Sequence, residues 1–129
     1  MFPCTRNETR LIMEDKACGV VRPYPDGACP HRVGSELVFT SKFLPWMGDS
    51  DQSVPFAKAT IVSVRPGTIG AFRKDDQLAE RDGFANGEVW LGHLRQIPGY
   101  EDIGDDVSAY HITFRLIEVD KDAGRQKAG

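Results

Sequence analysis

Apolar and polar positions change period several times along the chain. Asn7 to Lys16 (NETRLIMEDK) puts Leu11, Ile12 and Met13 on one side of a run of helix formers; Asn7 caps it and Cys18-Gly19 stops it. Val20-Val21-Arg22 is β-like and stops at the turn-rich stretch Pro23 to Gly27. After Gly34, the Leu37-Val38-Phe39 core of the segment Arg32 to Thr40 predicts a second strand. Pro45 to Pro55 (PWMGDSDQSVP) breaks the pattern and reads as an exposed hairpin loop with Trp46 near its start.

Phe56 to Arg65 is the clearest strand of the first half, closed by Pro66-Gly67, and Thr68 to Phe72 reads as a further short β element. The period then becomes helical. Asp75 to Arg81 predicts about two turns before Gly83, with acidic residues suited to its N-terminus. Asn86 caps a second helix carrying Val89, Trp90, Leu91, Leu94 and Ile97, which ends at Pro98-Gly99. Val107 to Val119 (VSAYHITFRLIEV) alternates as one long strand, and residues 120–129 form a polar, flexible tail.

Strand-rich flanks around a helical insert, without βαβ alternation, predict an α+β fold. The expected architecture is a mixed β-barrel of five or six strands with two or three flanking helices, the long last strand central and the helices of residues 75–97 packed on it. At 129 residues the chain suits one domain, expected over residues 1–119.

Composition narrows the partners. The net charge is −3, but Lys and Arg outnumber Asp and Glu 10 to 7 over residues 1–74, whereas over residues 75–106 the count is 2 to 9. Affinity for polyanions grows with the cations presented, so a strongly basic, non-specific nucleic-acid binder is excluded and any such binding has to be local. The start of the chain has no signal-peptide pattern and no stretch approaches the length of a membrane span, which makes a cytoplasmic location the expectation and a membrane partner not.

Four segments in order resemble one family. Asp15-Lys16-Ala17-Cys18-Gly19-Val20-Val21-Arg22, following a helix, is similar to a Gly-Lys-Thr-x-Thr-x-Arg segment, and Val33-Gly34-Ser35-Glu36-Leu37 resembles Val-Gly-Asp-x-Leu. Ala59 to Val64 resembles an Ala-x-Ile-x-x-Val strand, followed by Glu80-Arg81-Asp82-Gly83-Phe84, like a Glu-Gly-Phe turn. Ala109 to Phe114 then resembles a closing strand that ends in Ile-x-Phe. Together, over residues 8–119, they are similar to the ASCH domain of the PUA-like superfamily.

That resemblance implies a small barrel with helices on one side and a cleft that takes RNA or a modified nucleoside, with no cofactor. A few ASCH proteins are amidohydrolases that deacylate N4-acetylcytidine with a Lys, a Thr and a Glu. Here Lys16 lies six residues before Arg22, one more than in the pattern, Ala17, Cys18 and Gly19 replace the threonines, and Asp82 replaces Glu. The resemblance thus implies ligand binding by Lys16, Arg22, Asp82 and Phe84. Hydrolysis by Lys16 and Asp82, with Cys18 as a stand-in nucleophile, is the alternative; an interaction protein without its own ligand is a third reading.

The chemistry of these residues fits either role. A Lys and a carboxylate sharing a cavity bias each other's ionisation; an Arg before a turn can pair with phosphate or stack on a base; Phe84 and Trp90 can stack or fill the core. Cys4, Cys18, Cys29 and His31 are potential zinc ligands, but gaps of 14, 11 and 2 residues match no paired zinc spacing, so no metal is expected. An odd number of cysteines fits reduced thiols.

Overall fold

In the computed structural model, which describes residues 2–16, 18–24, 29–44, 52–120 and 122–123, the chain opens with a two-residue strand, β1 (Phe2–Pro3). A helix, α1 (Arg6–Met13), follows. Its cap is Thr5 rather than the expected Asn7, for a local reason. The Thr5 hydroxyl accepts from the Glu8 amide at 3.1 Å while the Glu8 carboxylate accepts from the Thr5 amide at 3.0 Å, a reciprocal capping box. The helix ends at Met13, short of Lys16, and Asp15 takes a positive φ of 56° as the chain turns away.

Three further strands and three helices precede the last strand: β2 (Gly19–Pro23), β3 (Glu36–Ser41), β4 (Val54–Thr68), α2 (Ile69–Arg73), α3 (Asp76–Arg81), α4 (Gly87–Leu94) and finally β5 (Ser108–Val119). The sheet order is β1-β3-β4-β5-β2, parallel between β1 and β3 and antiparallel elsewhere. It is a mixed sheet curled into a half-barrel, an α+β fold. β4, rather than the expected β5, holds the middle position, and β5 lies between β4 and β2.

Two local readings change. Pro66-Gly67 does not close β4, which runs on to pair Gly67 with Ala109 and Thr68 with Ser108. Pairing with β3 stops at Thr60, so Pro66 lies where the strand has β5 on one side alone, an edge position that tolerates a residue without an amide hydrogen. The expected β element at Thr68 to Phe72 is instead α2, because the Thr68 hydroxyl accepts from the Ala71 amide and starts a helix. The expected loop Pro45 to Pro55 is shorter at its end, since Val54 and Pro55 pair with Ser41 and Thr40; residues 45–51, Trp46 among them, lie outside the described residues.

Each face of the sheet has its own core. Ile112 and Phe114 of β5 face the interior with Phe39, Phe56, Ile61 and the α1 residues Leu11 and Ile12. Ala109, at opposite parity, joins Val21 under Phe72, Leu78, Trp90 and Leu94 of the helices. The start of the expected tail is docked: the Asp120 amide donates to the Phe56 carbonyl at 2.7 Å and Ala123 is buried in the first core.

β1 and β2 are the two edges of the sheet, and Arg22 of β2 ties them together. Its guanidinium donates to the Val21 carbonyl at 3.0 Å and to the Pro3 carbonyl of β1 at 3.1 Å, and lies 4.5 Å from the Phe2 ring centroid. It also forms a two-pronged ion pair with Glu8, at 2.7 and 2.6 Å. Both side chains are 14% exposed. Burial pushes the Glu8 carboxyl up, but the Arg22 charge and hydrogen bonds, with those from Thr5, outweigh it and hold it below the usual range.

Two predictions follow from these contacts. At Gly87 a Cβ would lie 1.8 Å from the Arg73 carbonyl oxygen, whereas at Gly92, in the same helix, it would meet nothing within 4 Å. Gly87→Ala should therefore cost about 3 kcal/mol or more through backbone displacement, and Gly92→Ala should stabilise by up to about 1 kcal/mol; urea melts of the two variants give the comparison, and equal effects would contradict it.

Glu8→Gln leaves Arg22 buried and unpaired and should cost about 3 kcal/mol near neutral pH, whereas Glu8→Leu with Arg22→Met should cost less. The sign with pH follows from the lowered Glu8 carboxyl. Its contribution is present above the unfolded carboxylate range and lost as pH falls through the folded value. The gap between wild type and Glu8→Gln should therefore narrow in acid; a gap independent of pH in chemical denaturation would show that the Glu8 charge contributes nothing.

Candidate functional site

The free edge of β2 does not meet solvent directly. α1, the turn after α3 and the end of α4 stand around it and leave a cleft bordered by Glu8, Gly19, Arg22, Asp82, Phe84 and His93. Trp90 and Leu94, both buried, give it an apolar wall. Its open volume, mouth included, is about 440 Å³, but the part that admits a water-sized group is about 20 Å³, room for about one such group.

Asp82 is the C-cap of α3, and that turn carries its carboxylate to β5. Oδ2 lies 2.9 Å from His111 Nε2, with the side chains 3% and 10% exposed. The second oxygen, Oδ1, is buried and has no hydrogen-bond partner among the described residues. Burial raises the Asp82 carboxyl, and the His111 hydrogen bond and charge offset this only in part.

Gly19 makes room for the pair. A Cβ there would lie 2.5 Å from His111 Nε2 and 2.8 Å from Asp82 Oδ1. The residue that departs from the threonine-rich pattern thus has a physical reason: a side chain at this point of β2 would collide with the buried dyad.

The structure brings Arg22, Asp82 and Phe84 to one cleft, adds Glu8 and His93 at its border, and adds His111 as the hydrogen-bond partner of Asp82. Phe84 is half-buried, with its ring 5.3 Å from that of His93. Arg22 borders the cleft, but the guanidinium is already engaged with Glu8 and two carbonyls.

Lys16 and Cys18 are not among the residues that border the cleft. The Lys16 ammonium is exposed and lies 3.5 Å from Glu14, consistent with the early end of α1. Cys18 is exposed and its thiol donates to the Arg81 carbonyl at 2.9 Å; partial burial and the Asp82 charge push the thiol up, away from the nucleophilic thiolate. Cys4 is buried, Cys29 half-buried, and His31 packs 5.5 Å from the Phe2 ring. Among the described residues, no three His, Cys, Asp or Glu side chains gather to hold a metal. No helix there is long and apolar enough to cross a membrane.

One of the added residues left a trace in the sequence: Thr5 and Glu8 have capping-box spacing. His111 left none, because it shares its parity with Thr113 and Arg115, opposite the apolar Ile112 and Phe114. His93 left none, since a His in the last turn of a helix is ordinary.

No family model matches the sequence, and no curated protein does. Solved structures do match in shape. A DUF984 protein of Enterococcus faecalis V583 superposes with a TM-score of 0.62 at 10% identity, over 89% of this chain and 69% of that one. The ASCH protein of Zymomonas mobilis gives a TM-score of 0.57 at 8% identity, over 88% of this chain and 64% of its own. The ASCH domain of Lactobacillus crispatus JV V101 gives 0.54 at 15% identity, over 89% and 79%. This chain therefore spans slightly less than two thirds of the Zymomonas protein. At such identities the likeness is one of backbone, and that backbone, a curled five-stranded sheet with four helices, is the ASCH-domain fold.

Proposed function

We propose that the protein binds RNA or a modified nucleoside in the cleft beside β2, with Asp82 Oδ1 accepting a hydrogen bond from an N–H at the edge of the base. The observation that carries this reading is the buried, unpartnered Oδ1 at the cleft. A lone acceptor left without a partner in an apolar setting costs about 1–3 kcal/mol or more, so a ligand that supplies the donor recovers a cost the fold already bears.

Size narrows the donor. The inner space takes one water-sized group, which suits a single exocyclic amine or amide nitrogen and not a whole ring. A cytosine-type base meets this requirement, because its N4 amine donates to carboxylates, whereas a uracil offers an oxygen at the same position. Phe84 and His93 at the mouth supply ring faces for the rest of the base. His111, hydrogen-bonded to Oδ2, orients the carboxylate.

Deacylation of an N4-acylated cytidine is the less supported reading. Its general base would be Lys16, whose ammonium faces Glu14 outside the cleft, and its nucleophile Cys18, whose thiol is held in the protonated form. Binding without turnover accords better with this placement.

Calorimetric titration with cytidine, N4-acetylcytidine and uridine tests the reading. The two donor-bearing nucleosides should bind about tenfold or more tightly than uridine, the worth of one hydrogen bond to a charged group. Asp82→Asn, close in shape, should erase that preference. A protein that binds uridine equally well, or whose preference survives Asp82→Asn, would refute it, and release of free cytidine from N4-acetylcytidine would favour the hydrolase.

A further inference from the structure

Outside the cleft, on the far side of Arg22, runs a second and roomier groove, which admits water-sized groups over about 480 Å³ against about 20 Å³ in the cleft. It shares Thr5, Arg22, His93 and Ile97 with the cleft, so the two are adjacent. None of its bordering residues is Asp or Glu, whereas Arg6, Arg22 and Lys42 are cationic. In a chain of net charge −3 this is a local reversal of sign.

Arg22 is neutralised by Glu8, but Arg6 and Lys42 have no carboxylate within ion-pair distance among the described residues. Both instead face one ring: the Arg6 guanidinium is 4.9 Å and the Lys42 ammonium 5.6 Å from the centroid of Phe43. Beyond Phe43 an adjoining groove of about 520 Å³ shares Arg6, Asn7, Phe43, His93 and Gln96, and extends the path along α1. Each is the size of an ordinary ligand pocket. The path is thus longer than one nucleoside needs.

Resting on the proposed base recognition at Asp82, we infer that the ligand is a single-stranded RNA rather than a free nucleoside, its backbone lying across the Arg6–Phe43–Lys42 groove while one base reaches the cleft. Two cations without a carboxylate partner among the described residues, beside a half-buried ring, match the alternation of phosphate and base along a strand. Arg22 and His93 stand between base site and backbone path, since both border the cleft and the outer groove.

Charge sets the numbers. Each phosphate neutralised on a single strand contributes about −0.7 to the slope of log affinity against log salt, so two contacts give about −1.4. The experiment titrates the full chain with cytidine, cytidine 5′-monophosphate and a labelled oligocytidine of about ten nucleotides at several salt concentrations. The oligonucleotide should bind about tenfold or more tightly than either small ligand at low salt, with a slope near −1.4. Arg6→Gln and Lys42→Gln should each flatten that slope by about 0.7, and Lys58→Gln, a cation paired with Glu118 elsewhere on the sheet, should leave it unchanged. An oligonucleotide no tighter than cytidine or its monophosphate, or a slope unmoved by both variants, overturns the strand path and leaves base recognition standing. Failure of every one of the three ligands to bind overturns both.

Discussion

The ion pair between Arg22 and Glu8 is the contact on which the rest of the architecture depends. A five-stranded sheet that curls without closing leaves two edges with unpaired carbonyls, a liability that proteins cover or close. Arg22 answers both edges at once, donating to Val21 on its own strand and to Pro3 on β1. It can do so only because Glu8 balances its charge, and Glu8 is held by the capping box that begins α1. Helix start, sheet closure and the wall of the cleft are therefore one network. Losing any member loosens the other two.

That coupling explains why the cleft lies where it does. With α1 fixed against β2 by the ion pair, and α4 held over the other face of the sheet by Trp90, Leu91 and Leu94, the free edge of β2 is enclosed from two sides. The turn after α3 fills the third side and brings Asp82 against His111. Only Gly19, of the residues a strand could place there, leaves space for that pair. A buried carboxylate with one oxygen unsatisfied runs against ordinary core construction, and such departures concentrate at functional sites.

Much of the fold was legible because its signals are local. Leu37-Val38-Phe39, Phe56 to Arg65 and the alternation through Ile112 and Phe114 are strands by composition and period alone, and Asn86 capped its helix as expected. The errors were also local, where one signal outvoted another: Pro66-Gly67 reads as a stop because the sequence does not show that this part of β4 lacks a partner on one side. The site was less legible, since its contacts are distant in the chain. Arg22 and Glu8 are 14 residues apart, Asp82 and His111 29. Arg22, Asp82 and Phe84 came to notice through a resemblance of motifs. His111 became visible only when the fold set it beside Asp82, and Glu8 shows in the sequence as a capping residue but not as the partner of Arg22.

Under the proposed function, the division of charge between the two spaces would give each a separate task. Surface cations such as Arg6 and Lys42 act through water and are screened by salt, with a reach of about 8–10 Å, so they attract any phosphate without choosing among bases. Asp82 is the reverse. Its carboxylate is buried, and in the proposed binding mode it would reject a ligand edge that brings an oxygen instead of a donor. Affinity from the groove and selectivity from the cleft would be hard to combine in one pocket, because cations close to Asp82 would pair with it and satisfy the acceptor. Here Arg22 borders both spaces, already committed to Glu8, and stands between the carboxylate and the groove cations.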